Sequence, residues 1–191
     1  MPKLYSIRPT LTLKGRKFRG IRGWAGKPTH PPLTDFPIVC YVLAAGFDLV
    51  SYVAAQSDHG RAAHDFFVAG TLVIVSGFLV SLLTALTGFW DWWKSTSPGN
   101  QARRTANWHM TVMLTVTGIV ILDIIIRLVQ WGDNEATSTI VMILSIIIGA
   151  LTAFGATYGG SLTYDYGFNV ETSGDHPVWH DSEVDVLPGQ K

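Results

Sequence analysis

Cysteine and charged residues are both scarce in this sequence of 191 residues. Its single cysteine, Cys40, excludes an internal disulfide and a metal site built from thiols, because each of these needs a second cysteine. Only 15% of the residues are charged, and the mean hydropathy of +0.27 is high for a soluble protein. The shortage of charge therefore favours a membrane protein.

Familiar catalytic signatures are absent as well. The sequence has no phosphate-cradling glycine loop, no HExxH zinc motif and no nucleophile elbow. These absences argue against a hydrolase or a kinase, and we expect no enzymatic activity of this chain alone. The first thirty residues are basic and interrupted by proline and glycine, so we also expect no cleaved signal peptide.

Four apolar stretches are long enough to cross a lipid bilayer as helices. They cover residues 36–55, 66–90, 110–128 and 137–159. A hydrocarbon core of about 30 Å needs about 20 mostly apolar residues in a helix, because backbone polar groups find no water there. The sequence therefore predicts an all-α membrane protein whose four-helix transmembrane domain occupies residues 31–168.

The distribution of basic residues predicts the orientation of the chain. Eight lysines and arginines lie in the N-terminal tail, residues 1–30. Three more lie between the second and third spans: Lys94, Arg103 and Arg104. The other two connections contain only Arg61. Because basic loops stay in the cytoplasm, we expect the N-terminal tail and an acidic C-terminal tail, residues 169–191, to be cytoplasmic.

Three ionisable residues lie deep within the predicted spans. Asp48 is in the first span, and Asp123 and Arg127 are in the third. At 1.5 Å per residue, both aspartates lie about 18–20 Å from the cytoplasmic edge. Burying one such charge alone costs on the order of 3 kcal/mol, so we expect the three to form one polar cluster. The cluster is either a salt bridge that sets helix register or part of a proton or small-solute conduit.

A second polar group is predicted at the cytoplasmic end of the bundle. His30 precedes the first span, Asp91 ends the second, His109 opens the third and Tyr164 follows the fourth. Two imidazoles can bind haem iron or another metal, and neighbouring polar groups such as Asp91 and Tyr164 can orient them. The alternative is a hydrogen-bonded network that closes this end of the bundle.

Several local motifs resemble a known family. They are HPPLTDFPIV at residues 30–39, LTGFWDWW at 86–93 and GGSLTYDYGFNV at 159–170. Over residues 29–170 the chain is similar to a bacterial family of small four-helix membrane proteins of unknown function, some of them fused to a Rieske iron–sulfur domain. The resemblance implies a multi-pass protein of the bacterial cytoplasmic (inner) membrane with a redox protein or another membrane complex as partner.

Three functions are compatible with these observations. The first is a non-catalytic accessory or anchoring subunit of a membrane redox or respiratory complex. The second is an electron carrier that holds haem b or a metal on His30 and His109, and the third is a proton or small-solute conduit through Asp48, Asp123 and Arg127. We expect the lipid bilayer to be a partner and nucleic acid not to be one, because the basic tail has no nucleic-acid-binding motif.

Overall fold

The fold is entirely helical over the part of the chain that can be described. The computed structural model describes residues 20–23, 28–57, 59–132, 135–168 and 170. Its four long helices are α1 (His30–Gln56), α2 (Gly60–Ser95), α3 (Gln101–Gln130) and α4 (Thr139–Gly160). A single π-helical turn, Ser161–Asp165, follows α4. Most of the predicted tails, residues 1–30 and 169–191, lie outside the described residues.

Each of the four long helices contains an apolar stretch long enough to cross a membrane. The four-span prediction is therefore confirmed, although the helices extend beyond the apolar segments. The longest, α2, has 36 residues and measures about 54 Å at 1.5 Å per residue. Its ends must therefore extend beyond a hydrocarbon core of about 30 Å into the headgroup region.

The first helix begins earlier than its hydropathy predicts. It starts at His30 rather than near residue 36, and Pro31 and Pro32 lie in its first turn. Proline is well suited to this position, because the first backbone N–H groups of a helix need no partner within it. The early start places His30 on a helix instead of in a preceding loop.

A proline within α1 is accommodated by a side chain of the neighbouring helix. Pro37 has no N–H group to donate to the carbonyl of Leu33. The hydroxyl of Thr84, on α2, lies 3.2 Å from that carbonyl oxygen and 3.1 Å from the carbonyl oxygen of Val80 in its own helix, so it can donate to either. The proline therefore creates a contact that joins α1 to α2 one turn from His30.

The four helices form a bundle in which helices that follow each other in the chain are neighbours. Helix α1 packs against α2 and α4, and α3 packs against α4 and, less extensively, against α2. Among these four helices, all of them described, the backbone of α1 does not come close to that of α3, nor the backbone of α2 to that of α4, so each pair lies on a diagonal. Residues of α1 and α3 can therefore meet only across the interior of the bundle.

Polar and apolar residues are distributed in the manner of a membrane protein. Leu72, Leu79 and Val129 are large apolar side chains that are 59–76% exposed on the outside of the bundle. Inside, the largest fully buried side chain is that of Arg127. A soluble protein would expose the arginine and bury the aliphatic residues, so this exterior suits lipid better than water.

Candidate functional site

Arg127 lies at the centre of a buried polar layer to which all four helices contribute. Its Nε donates to Oδ2 of Asp123 over 2.7 Å. Its Nη1 donates to Oδ1 of Asp48 over 3.1 Å and to the hydroxyl of Thr71 over 3.2 Å. Its Nη2 donates to Oδ2 of Asp48 and, over 3.2 Å, to the hydroxyl of Ser145. A guanidinium carries five N–H groups, so each of them has a partner in this arginine layer.

The two carboxyl groups of the arginine layer are held very differently. Asp48 pairs with the guanidinium through both oxygens, and Oδ1 also accepts from the hydroxyl of Thr137 over 3.0 Å. Its Oδ2 also lies within hydrogen-bond distance of the Ser145 hydroxyl. Asp123, in contrast, binds Arg127 through Oδ2 alone, and its buried Oδ1 has no hydrogen-bond partner among the described residues. Both aspartates and the arginine are 0% exposed.

Packing around the arginine layer depends on small residues. A Cβ atom on Gly70 would lie only 2.9 Å from Oδ1 of Asp48, so glycine leaves the room that this carboxylate occupies. Ser51 accepts from the backbone N–H of Thr137 over 2.9 Å and donates to the carbonyl of Ala63 over 2.6 Å. Through Ser51, these bonds join the connection between α3 and α4 to helices α1 and α2.

Two histidines face the interior at the opposite end of the bundle. Nδ1 of His30 lies 3.0 Å from the carbonyl oxygen of Thr84, and Nδ1 of His109 lies 2.9 Å from that of Gly155. Because a carbonyl oxygen can only accept, each Nδ1 carries the proton and each Nε2 presents a lone pair. We call His30 and His109 the histidine pair.

Each ring of the histidine pair lies against a glycine of the neighbouring helix. A Cβ atom on Gly88 of α2 would lie 2.6 Å from Cε1 of His30. A Cβ atom on Gly159 of α4 would lie 3.2 Å from Cε1 of His109. Glycine at these positions therefore lets both imidazoles lie flush against a helix backbone.

The histidine pair is level within the bundle although its members occupy very different places in the sequence. Gly88, which contacts His30, lies seven residues before the end of α2 at Ser95. His109 lies eight residues after the start of α3 at Gln101. Since α2 and α3 are joined by a short turn, both imidazoles lie about 10–12 Å from it at 1.5 Å per residue. They therefore occupy one level, on the diagonal helices α1 and α3.

The other two residues predicted for this site, Asp91 and Tyr164, differ in how far they are buried. Asp91 is buried, and its Oδ1 accepts from the backbone N–H of Ile21 over 3.2 Å, which holds the segment before α1 against α2. Tyr164 is 88% exposed on the π-helical turn. The structure therefore gives Tyr164 no buried position from which it could orient an imidazole.

Comparison with known protein families gives one match. Residues 26–172 match the family described as "Predicted membrane protein (DUF2231)". The chain belongs to the DUF2231 family. The DUF2231 match includes all four helices, the arginine layer and the histidine pair, and it confirms the resemblance to a family of membrane proteins of unknown function. No curated protein and no solved structure matches the chain.

Membership of DUF2231 does not identify a cofactor. The side chains that could bind a metal must therefore be judged by their number and type. Among the described residues, no three histidine, cysteine or acidic side chains come together as a metal site. Zinc sites in proteins usually take three or four protein ligands. Haem iron takes only its axial ligands from the protein, since the porphyrin supplies the others. The histidine pair offers two imidazoles, the number of axial ligands that a six-coordinate haem iron takes from a protein.

Proposed function

We propose that this chain is a membrane electron carrier that binds haem b between His30 and His109. The observation that carries the proposal is the geometry of the histidine pair. The two imidazoles lie at one level on diagonal helices, and both have Nδ1 engaged and Nε2 available. Bis-histidine ligation of haem in a helical bundle uses one imidazole from each of two helices, and each ligating nitrogen must present a lone pair.

The neighbouring residues support this assignment. Histidines that ligate a metal commonly donate their other ring N–H to a backbone carbonyl, which fixes the ring and makes the ligating nitrogen more basic. The carbonyl groups of Thr84 and Gly155 are placed to do this for His30 and His109. Gly88 and Gly159 leave space beside the rings. A bound haem would supply one-electron redox chemistry, for which the protein needs no catalytic group of its own.

An absorption spectrum tests the proposal. The full chain, purified in mild detergent from haem-replete cells, should show the reduced-minus-oxidised bands of a six-coordinate low-spin haem. We expect His30→Gly and His109→Gly each to lose these bands and exogenous imidazole to restore them. His64→Ala, which changes a half-exposed histidine at the other end of the bundle, is the matched control. A wild-type protein with a flat Soret region would refute haem binding.

The first function considered from the sequence, an accessory or anchoring subunit of a redox complex, is compatible with this proposal. A one-electron carrier needs a donor and an acceptor, so it must work with at least one further redox partner. Pull-down from native membranes in mild detergent should recover such a partner in stoichiometric amount. Recovery of the chain alone would contradict its membership of a redox complex.

The geometry supports a conduit less well. Between the arginine layer and the histidine pair lies an apolar core that includes Ala44, Ile74, Val116 and Val120. These side chains are at most 1% exposed, so they separate the two polar regions rather than connect them. We therefore rank conduction through Asp48, Asp123 and Arg127 below electron transfer as a proposed function.

A further inference from the structure

The hydrogen bonds of the arginine layer are divided unequally between its two carboxyl groups. Asp48 receives two N–H groups of Arg127, one on each oxygen, which is the bidentate arrangement that favours an ionised carboxylate. The hydroxyl of Thr137 adds a further donor. Asp123 receives one N–H on Oδ2, and its Oδ1 is buried with no partner among the described residues. Asp48 is therefore built to hold a negative charge, and Asp123 is not.

The charge of the layer leads to the same distinction. If both aspartates were ionised, the layer would carry two negative charges and one positive charge with no exposed surface. Two carboxylates that share one buried site cannot both remain ionised without a large cost. That cost is greater within the bilayer, where water does not reach the uncompensated charge. One additional positive charge at Asp123 would make the layer neutral.

We propose that Asp123 binds this charge as a proton, so that it is a neutral carboxylic acid at neutral pH while Asp48 remains ionised. The bound species is a proton rather than a metal cation, because Na⁺-like or Ca²⁺-like ions require several oxygen ligands around them. Oδ1 of Asp123 has no polar neighbour within hydrogen-bond distance in the described chain. A proton needs only the one oxygen.

The arginine layer, to which Asp123 belongs, draws its charged and polar groups from every helix. Asp48 of α1 and Arg127 of α3 are the charged members of the layer, and Thr71 of α2 and Ser145 of α4 are its neutral members. Within the described part of the chain, only Arg127 forms a hydrogen bond with the carboxyl group of Asp123. Whatever draws the guanidinium away from Asp48 and towards Asp123 would favour release of the proton. Asp123 is thus a protonatable site at membrane depth, and it is independent of haem binding.

Infrared spectroscopy on the full chain in lipid nanodiscs tests the proposal directly. At neutral pH the wild-type protein should show the C=O stretching band of a protonated carboxylic acid, well separated from the carboxylate bands. Asp123→Asn should lose this band. Exchange of Na⁺ for K⁺ or choline should leave it unchanged, whereas a band that depends on the cation would indicate a metal ion at Asp123 and overturn the proposal.

Thermal unfolding of two matched variants provides an independent test. Asparagine imitates a neutral acid in shape and charge, so Asp123→Asn should leave the Tm unchanged. Asp48→Asn should lower the Tm by several degrees, because it removes the ionised partner of a buried arginine. Absence of the acid band in the wild-type protein would refute the proposal. So would an Asp123→Asn variant that is destabilised as much as Asp48→Asn or fails to fold.

Discussion

At the scale of single residues, the glycines beside the two polar sites are as informative as the polar residues themselves. Gly70 and Gly88 lie so close to the side chains of Asp48 and His30 that a methyl group would collide with them. Gly46 and Gly118 lie on α1 and α3 with open space beside them. The contrast distinguishes glycines that a site requires from glycines that the chain merely tolerates, and it supplies matched controls.

Replacement of Gly70 should weaken the arginine layer. A Cβ atom at this position would lie 2.9 Å from Oδ1 of Asp48, which is itself held by Arg127 and cannot easily move. We expect Gly70→Ala to lower the free energy of unfolding by about 1–3 kcal/mol, the usual cost of overpacking a core. Gly46→Ala, measured in the same detergent-denaturation assay, should be neutral or slightly stabilising. Equal stability of the two variants would contradict the geometry of the layer.

Replacement of Gly88 should affect haem binding rather than the fold. A methyl group there would lie 2.6 Å from Cε1 of His30 and would push the ring out of alignment. We expect Gly88→Ala to reduce the haem content several-fold, and Gly159→Ala, where the distance to His109 is 3.2 Å, to reduce it less. Haem quantified per protein gives the measurement, and Gly118→Ala is the control. Unchanged haem content in Gly88→Ala would show that the ring of His30 is not positioned by this glycine.

At the scale of helices, proline has effects that rules based on sequence do not anticipate. Pro31 and Pro32 precede the predicted start of the first span near residue 36, yet α1 contains both of them as well as Pro37. The first two occupy the turn where no N–H donor is needed, and the third is compensated by Thr84. The hydropathy of the segment could not reveal that compensation, because Thr84 lies on another helix.

Removal of the Thr84 hydroxyl should therefore lower the free energy of unfolding more than removal of the hydroxyl of an exposed threonine. In Thr84→Val the carbonyl of Leu33 would lose its donor, and we expect a loss of about 1 kcal/mol in the free energy of unfolding. Thr115→Val is the control, because the Thr115 hydroxyl is exposed and bonds only within its own helix. If the two variants are equally stable, the carbonyl released by Pro37 has another partner.

At the scale of the whole molecule, the orientation of the bundle in the membrane is a prediction from the charge distribution. Lys94, Arg103 and Arg104 lie near the connection between α2 and α3, at the same end of the bundle as the histidine pair. Because basic residues favour the cytoplasmic side, this end should face the cytoplasm. Both tails would then also be cytoplasmic, in a bacterial inner membrane. The arginine layer would lie nearer the opposite face.

Cysteine labelling of intact cells tests this orientation. The native Cys40 is buried, so it provides a low background. A membrane-impermeant maleimide should label Ser57→Cys, between α1 and α2, without permeabilisation. It should label Ser97→Cys, between α2 and α3, only after the cells are opened. The reverse pattern would place the histidine pair on the outer side.

The sequence alone was sufficient for the number of spans and for the polar cluster of Asp48, Asp123 and Arg127. Both depend on local quantities: the length of an apolar run, the rise of a helix per residue and the four-residue spacing that puts Asp123 and Arg127 on one face. The hydroxyl groups of Thr71 and Ser145 were not identified, although polar residues within apolar spans are a signal for such a role.

The partners of these residues depend on how the four helices pack. The tertiary structure determined that Asp48 rather than Asp123 forms the bidentate pair with Arg127, and that each imidazole of the histidine pair keeps Nε2 free. These features depend on the rotation of each helix and on which neighbours it meets, and the contacts join residues up to 97 positions apart. No local pattern encodes such contacts, because they arise from the packing of all four helices together.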